Sequence, residues 1–354
     1  MRNPEMEDFY ALSPEDQAVR MHRLASLALD KWSGSFDAVT LVKFRENAVF
    51  SALRSDGIRV ALRIHRHGYH SDAALRSELY WMTALAGTGI DVPPVIPAAS
   101  GEIFVKVAVP GVPEPRQVDM LAWVAGEPVG SSDNGLALEP ETAERLFFTA
   151  GALAARLHNH SNSMALPDSF TRHAWDAAGL VGEDPFWGRF WELGQLTPEE
   201  RALLQRARAQ AAQDLAAFGM GGHNYGLIHA DFVPENLLND GGRLNLIDFD
   251  DSGFGWHMFE LATALYFNLD DPGYPGLVEA LFAGYRSVRS LPVEHAALLP
   301  LFLFLRGTTY LGWVQTRAET ATARELGPML ITRACQLAVD YLAVNEPHVG
   351  IKIK

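Results

Sequence analysis

Gly226-Leu-Ile-His-Ala-Asp-Phe-Val-Pro-Glu-Asn-Leu-Leu-Asn-Asp-Gly-Gly-Arg-Leu-Asn-Leu-Ile-Asp248 is the stretch on which the reading of this chain turns. Apolar residues flank the polar turn Asp240-Gly241-Gly242 on both sides, so it reads as strand, loop, strand, turn, strand. Asp231, Asn236 and Asp248 then stand at loop or strand ends, and the hairpin can bring all three together. One carboxylate can orient an attacking hydroxyl and accept its proton. An amide oxygen and a second carboxylate can hold a hard cation that bridges nucleotide phosphates. Phosphoryl transfer asks for positioning and charge neutralisation more than for covalent catalysis, so these few groups suffice. Singly, each is an ordinary turn residue. The weight lies in the full pattern His-x-Asp-x4-Asn followed by an apolar strand ending in Asp.

Upstream of this stretch the chain changes style once. Residues 14–29 read as a short helix, and residues 39–44, 48–53 and 60–64 as three short strands, with Asp56-Gly57 turning between the last two. A helix capped by Ser71 or Asp72 follows, with Leu75, Leu79, Met82 and Leu85 on its buried face and Gly87 at its end. Pro93, Pro94 and Pro97 impose an extended passage, and residues 103–109 and 118–124 read as two further strands. From Glu139 onward helices dominate. Pro140 opens one through residues 143–158, and Thr197-Pro198-Glu199-Glu200 starts another that stops at Gly219. The expectation is α+β: residues 1–125 form an N-lobe, an antiparallel sheet with one inserted helix, and residues 126–354 form a mainly helical C-lobe. Gly126-Glu127-Pro128 is the expected connector.

Composition narrows the function classes. The 354 residues are 48% hydrophobic and 20% charged, an ordinary globular balance with length enough for two cores. The 29 basic and 43 acidic residues give a formal net charge of −14. That opposes attraction to nucleic acid and anionic membrane and is compatible with a cationic small substrate. The single cysteine, Cys335, excludes an intrachain disulfide and a cysteine-rich metal site, and fits a reducing cytoplasm. Residues 1–17 are polar and acidic, unlike a signal peptide. The longest apolar run, residues 296–305, contains Pro300 and stops at Arg306, short of the roughly 18 residues of a membrane span. A cytoplasmic protein is expected. The twelve histidines show no metal-site spacing; His65, His67 and His70 are expected on a solvated loop, and Trp187 and Trp191, at helical spacing, as packing.

His229-Ala-Asp-Phe-Val-Pro-Glu-Asn236 and Ile247-Asp-Phe-Asp250 resemble the catalytic and metal-binding motifs of the aminoglycoside phosphotransferase and choline kinase superfamily. Asp251-Ser-Gly-Phe-Gly-Trp-His-Met-Phe-Glu-Leu-Ala262 is similar in particular to its bacterial stress-response kinase and type II homoserine kinase-like members. Gly151-Ala-Leu-Ala-Ala-Arg-Leu-His158 is similar to the helix that precedes the family's catalytic loop. The resemblance runs from about residue 44 to about residue 264. It implies a protein kinase-like bilobal fold, ATP as donor and Mg²⁺ as cofactor. Asp231 would be the catalytic base, His229 a brace for the loop, and Asn236 and Asp248 the metal ligands. Asp250 would either support the metal site or face the acceptor, and Asp251 and Trp256 would lie toward the acceptor in a region that continues through Tyr266, Phe267 and Asp270-Asp271, whose aromatics read equally as helix core.

The N-terminal half departs from the kinase pattern. Val60-Ala-Leu-Arg63 stands where kinases carry Val-Ala-x-Lys, so Arg63 would take the place of the phosphate-binding lysine, paired with Glu78; a purely structural ion pair is the other reading. Lys43 and Lys106, in expected strands, are alternative phosphate contacts. No G-x-G-x-x-G loop or Walker A sequence is present; Arg45-Glu46-Asn47 occupies the place of the phosphate-covering loop. Met120-Leu-Ala-Trp-Val-Ala-Gly126 is similar to the interlobe hinge, where the backbone at Leu121, Trp123 and Val124 would hold the adenine. The leading expectation is transfer of the γ-phosphate of ATP to a hydroxyl-bearing small molecule. A Ser/Thr protein kinase of the stress-response type and a nucleotide-binding pseudokinase stand as alternatives. Only about seven residues separate Asp248 from the next expected helix near Trp256, too few for a peptide-docking segment ending in Ala-Pro-Glu, which favours the small acceptor.

Overall fold

The computed structural model describes residues 9–44, 47–131, 135–318 and 320–345. The chain divides into two compact units. One comprises Met1–Gly126, Ala165–Thr171 and Asn245–Ile247; the other comprises Glu127–Met164, Arg172–Leu244 and Asp248–Lys354.

The first unit is a sheet with two helices. Its elements are α1 (Pro14–Leu29), β1 (Phe36–Phe44), β2 (Ala48–Arg54), β3 (Arg59–Ile64), α2 (Asp72–Ala86), β4 (Val105–Val107) and β5 (Arg116–Ala122). The strands pair antiparallel in the order β1-β2-β3-β5-β4. Phe50, Val60, Leu62, Val118 and Met120 are closed off from solvent in one cluster with Leu24, Ala25 and Ala28 of α1 and with Trp32. Both helices begin where the sequence supplies a cap. The Ser13 hydroxyl accepts the Asp16 N–H and the Ser71 hydroxyl the Ala74 N–H. His65 departs from expectation: it is 3% exposed rather than on a solvated loop, because its Nε2 lies 2.6 Å from the buried Asp119 carboxylate on β5.

The second unit is mainly helical, with β6 (Glu127–Pro128), α3 (Pro140–Ser163), β7 (Ala174–Trp175), α4 (Ala177–Val181), α5 (Pro198–Phe218), β8 (Tyr225–Ile228), β9 (Leu237–Asp240), β10 (Arg243–Leu246), β11 (Gly253–Trp256), α6 (His257–Tyr266), α7 (Tyr274–Arg286), α8 (Val293–Ala296), α9 (Leu299–Thr316) and α10 (Ala321–Asn345). The expected start of α5 is a capping box: the Thr197 hydroxyl takes the Glu200 N–H and the Glu200 carboxylate takes the Thr197 N–H. Helices α3 and α7 approach at van der Waals distance through two glycines. A Cβ on Gly151 would stand 2.0 Å from the Leu281 carbonyl oxygen, and one on Gly284 1.9 Å from that of Phe148. Trp187 lies in a loop, not on a helix, while Trp191 sits in the 3-10 turn Phe190–Glu192 beneath the Arg208 guanidinium.

The segment Val293–Thr316 is long and apolar enough to cross a membrane by length and composition alone, but 67% of its window is buried within the fold, as in a core helix. Two small sheets position the loops that matter. In one, β11 lies between β7, parallel, and β8, antiparallel. In the other, β9 pairs with β6 on one side and β10 on the other.

Candidate active site

Strand β8 runs into His229, Ala230 and Asp231, and the chain there takes an unusual course. Ala230 has φ +64, in the left-handed region that a Cβ disfavours. Three hydrogen bonds from two side chains flank it. The Glu260 carboxylate of α6 accepts the His229 N–H at 2.7 Å through Oε1 and the Ala230 N–H at 2.8 Å through Oε2. On the far side of the peptide, the Ala230 carbonyl accepts Arg306 Nη1 at 3.1 Å. His229 and Glu260 are 0% exposed. Burial pushes the Glu260 carboxyl above its ordinary range, and the nearby His229 side chain, the His229 and Ala230 N–H groups and Arg306 pull it part of the way back. The His229 ring packs edge-on against Phe249 at 4.7 Å, deep in the unit.

The loop then presents Asp231. The Asn236 side chain, in the 3-10 turn Pro234–Asn236, donates from Nδ2 to the Asp231 carbonyl at 2.9 Å and to Asp231 Oδ2 at 2.8 Å. Arg306 Nη2 donates to Asp231 Oδ1 at 2.7 Å. Both hydrogens of the Asn236 amide are thereby used, and its Oδ1 takes no hydrogen bond among the described residues. A free amide oxygen beside a fixed carboxylate suits a hard cation. The hairpin β9–β10 returns the chain, and two residues past β10 stands Asp248 with φ +67, a left-handed conformation of the kind kept at functional turns. Asn236 and Asp248 are the residues that could hold Mg²⁺, and their donor set of amide oxygen and carboxylate fits that ion.

Past Asp248 the backbone is fastened from β7 and its approach. Arg172 donates to the carbonyls of Asp250 and Ser252, and His173 and Trp175 reach the Asp251 carbonyl at 3.0 and 2.9 Å. Asp250 is 7% exposed and Asp251 half-buried. Trp256 requires a correction: it is 1% exposed, with its indole N–H on the Gly219 carbonyl at 2.8 Å. It packs the core and offers no face to an acceptor.

In the first unit, Arg63 on β3 is fully engaged by carboxylates. Its Nη1 lies 2.9 Å from Glu78 Oε1, while Nε and Nη2 grip Asp119 in a fork at 2.9 Å each. Asp119 in turn meets His65. Arg63 and His65 outweigh the desolvation of Asp119 and hold its carboxyl below its ordinary range. Lys106 is occupied by Asp72 at 2.7 Å on the surface. Asn47 accepts the Arg66 N–H at 3.0 Å, and Arg45 and Glu46 lie outside the described residues. Leu121 pairs with Ala61 inside the sheet, and the Trp123 N–H bonds the Arg59 carbonyl at 3.2 Å while the Arg59 guanidinium covers its ring. The next residue, Val124, makes no hydrogen bond through its N–H among the described residues.

Sequence reasoning missed Glu260, Arg306 and Asp119. The signal for Arg306 is a lone charge inside the otherwise apolar α9. Glu260 lies within the stretch that carries the family resemblance, without a role attached to it.

This fold and this loop define a class. The chain belongs to the phosphotransferase enzyme family (APH), whose model matches residues 41–298. It is a kinase-like α+β protein and an enzyme of phosphoryl transfer to an alcohol group, as the family resemblance implied. It is similar to the structure of a microcompartment-associated aminopropanol kinase, at 33% identity, a TM-score of 0.80, and coverage of 91% of this chain and 98% of that one. The amicoumacin kinase of Bacillus subtilis (strain 168) is 25% identical over 84% of this chain and 86% of its own length. The amicoumacin kinase hAmiN, in complex with AMP-PNP, Ca²⁺ and Ami, shares the fold at 20% identity and a TM-score of 0.72, covering 93% and 94%.

Proposed function

We propose that this chain transfers the γ-phosphate of Mg-ATP to the hydroxyl of a small metabolite of the amino-alcohol class, in the cytoplasm. Asp231 serves as the base, and Asn236 and Asp248 hold Mg²⁺. The observation that carries the reading is the Asn236 amide, which commits both hydrogens to Asp231 and leaves its oxygen for a cation. One residue thereby ties the base to the metal position. Mg²⁺, when bound, neutralises charge on the transferring phosphate. Asp231 orients the acceptor O–H and takes its proton as the oxygen attacks phosphorus. His229 and Glu260 keep the loop in shape behind it. Arg63, fixed by Glu78 and Asp119, occupies the sequence position of the usual lysine as a structural ion pair, and the hinge backbone at Val124 takes the base.

A small acceptor is favoured over a peptide. Between Asp248 and α6 the chain forms β11 at once, paired with β8, and has no length for a docking segment. The 33%-identical relative is named for aminopropanol, which makes 1-amino-2-propanol the first acceptor to try. The test is ATP consumption with 1-amino-2-propanol, homoserine and an aminoglycoside, together with calorimetry of Mg-ATP. Asp231→Ala is expected to lower kcat by about a thousandfold or more while Mg-ATP still binds. Asp248→Ala is expected to weaken Mg-ATP binding by at least about tenfold. Undiminished turnover by Asp231→Ala removes the base assignment, and wild-type protein that binds no Mg-ATP removes the kinase reading.

A further inference from the structure

Arg306 reaches the catalytic loop from α9, some 75 positions further along the chain than Asp231. It is 0% exposed. Nη1 donates to the Ala230 carbonyl at 3.1 Å, and Nη2 to Asp231 Oδ1 at 2.7 Å and to the Tyr310 hydroxyl at 2.6 Å. The rings of Tyr310, Trp187 and Phe259 stand 4.4, 5.5 and 5.9 Å from its guanidinium carbon. Its Nε has no hydrogen-bond partner among the described residues. A guanidinium stripped of water and left with an unused N–H is a poor source of stability, since the desolvation cost offsets the attraction of the pair. What the arrangement does supply is geometry. Asn236 fixes Oδ2 of Asp231 and Arg306 fixes Oδ1, so the carboxylate is held from both sides and cannot turn about its Cβ–Cγ bond. The Asp231 side chain remains 24% exposed, so the fixed carboxylate is still open to solvent.

We propose that Arg306 is a positioning residue for phosphoryl transfer: it locks the Asp231 carboxylate in the orientation that meets the acceptor hydroxyl, and Tyr310 holds Arg306 in place. This rests on the reading of Asp231 as the base. In the step itself the acceptor oxygen bonds to the γ-phosphorus and its proton passes to Asp231. The bond from that phosphorus to the bridging oxygen breaks, and its electron pair leaves with ADP. Arg306 exchanges no proton. Its work is done beforehand, because a misplaced base forfeits rate even when every reactant is bound. Lysine cannot replace it, being a point charge without the planar fork that reaches a carbonyl, a carboxylate and a hydroxyl together.

The experiment compares wild type with Arg306→Met, Arg306→Lys, Tyr310→Phe, Asp231→Asn and the double variant Asp231→Asn/Arg306→Met. Each is assayed with Mg-ATP and 1-amino-2-propanol, with homoserine as second acceptor and ATP hydrolysis as the acceptor-free rate. Arg306→Met is expected to lower kcat about a hundredfold, while the acceptor KM and the Mg-ATP Kd stay within about threefold. Arg306→Lys recovers no more than about a tenth of the wild-type rate, and Tyr310→Phe loses about fivefold. In the Asp231→Asn background, Arg306→Met costs less than about threefold more, because the group it acts through is already lost. A kcat within about threefold of wild type in Arg306→Met overturns the inference, as does the same penalty with and without Asp231 or a parallel loss of Mg-ATP binding. Should Arg306→Met fail to fold, Arg306→Lys and Tyr310→Phe decide, and wild-type rates in both overturn it. Wild-type protein that turns over neither acceptor nor ATP removes the reading of Asp231 itself, an outcome distinct from a neutral Arg306.

Discussion

At the scale of single residues, the loop around Asp231 depends on charges brought from distant helices. Glu260 has both oxygens committed to backbone N–H groups and no solvent to replace them. Glu260→Gln turns one accepting oxygen into a donor that faces an N–H. The substitution is expected to destabilise the protein by roughly 2–4 kcal/mol, from one charged hydrogen bond lost and one buried donor orphaned. It should lower kcat as well, because Ala230 loses a restraint on its left-handed backbone. Urea unfolding beside steady-state kinetics checks both effects, and an unchanged midpoint would refute the first. The sequence made Asp231, Asn236 and Asp248 legible because their spacing along one short hairpin is itself the pattern. Glu260 and Arg306 were not legible in the same way. They reach the loop through tertiary packing, and their positions in the chain bear no fixed relation to it. The one visible hint was a charge set among the apolar residues of α9. Trp256 misled for the opposite reason: it follows the metal aspartate closely, yet the pairing of β11 with β8 delivers it to the core.

At the scale of elements, starts and stops were the most readable features. Ser13, Ser71, Pro140 and Thr197 each open a helix in the structure as their cap chemistry requires. Contacts between helices were not readable. The glycine of Gly151-Ala-Leu-Ala-Ala-Arg-Leu-His158 belonged to a recognised motif, but its reason emerges only where α3 meets α7. With Gly284 on the facing helix, it lets two backbones touch. Gly284→Ala forces a methyl into the Phe148 carbonyl, and the helices must part. A loss of about 1–3 kcal/mol or more is expected. Gly194→Ala, where an added Cβ meets nothing within 4 Å, serves as the control and should leave the urea midpoint unchanged. Equal midpoints for the two variants would show that α3 and α7 yield without cost.

At the scale of the whole molecule, one buried pair contributes to acid sensitivity. His158 on α3 and His257 on α6 stack at 4.1 Å with their planes 13° apart, and burial holds both pKa values well below the ordinary histidine range. The unfolded chain takes up protons at these side chains below about pH 6.5 and the folded chain does not, so stability is full above that pH and falls as the solution is acidified. The slope reaches up to about 1.4 kcal/mol per pH unit for each histidine. Glu260, its carboxyl raised by burial, opposes part of this, since it gains a proton more readily folded than unfolded. Urea midpoints measured from about pH 7.5 down to about pH 5 should decline, and His257→Leu should roughly halve the decline. An identical slope in that variant would locate the acid sensitivity elsewhere. The helix that carries Arg306 adds a consequence of another kind. The stretch Val293–Thr316 is apolar over most of its length, and the fold buries most of that surface. Each opening of the second unit bares that surface, and molecules caught open together adhere before they can close. Heat inactivation is therefore expected to be a one-way process whose pace depends on scan rate and concentration, slowed by any ligand that binds the closed form and keeps α9 covered.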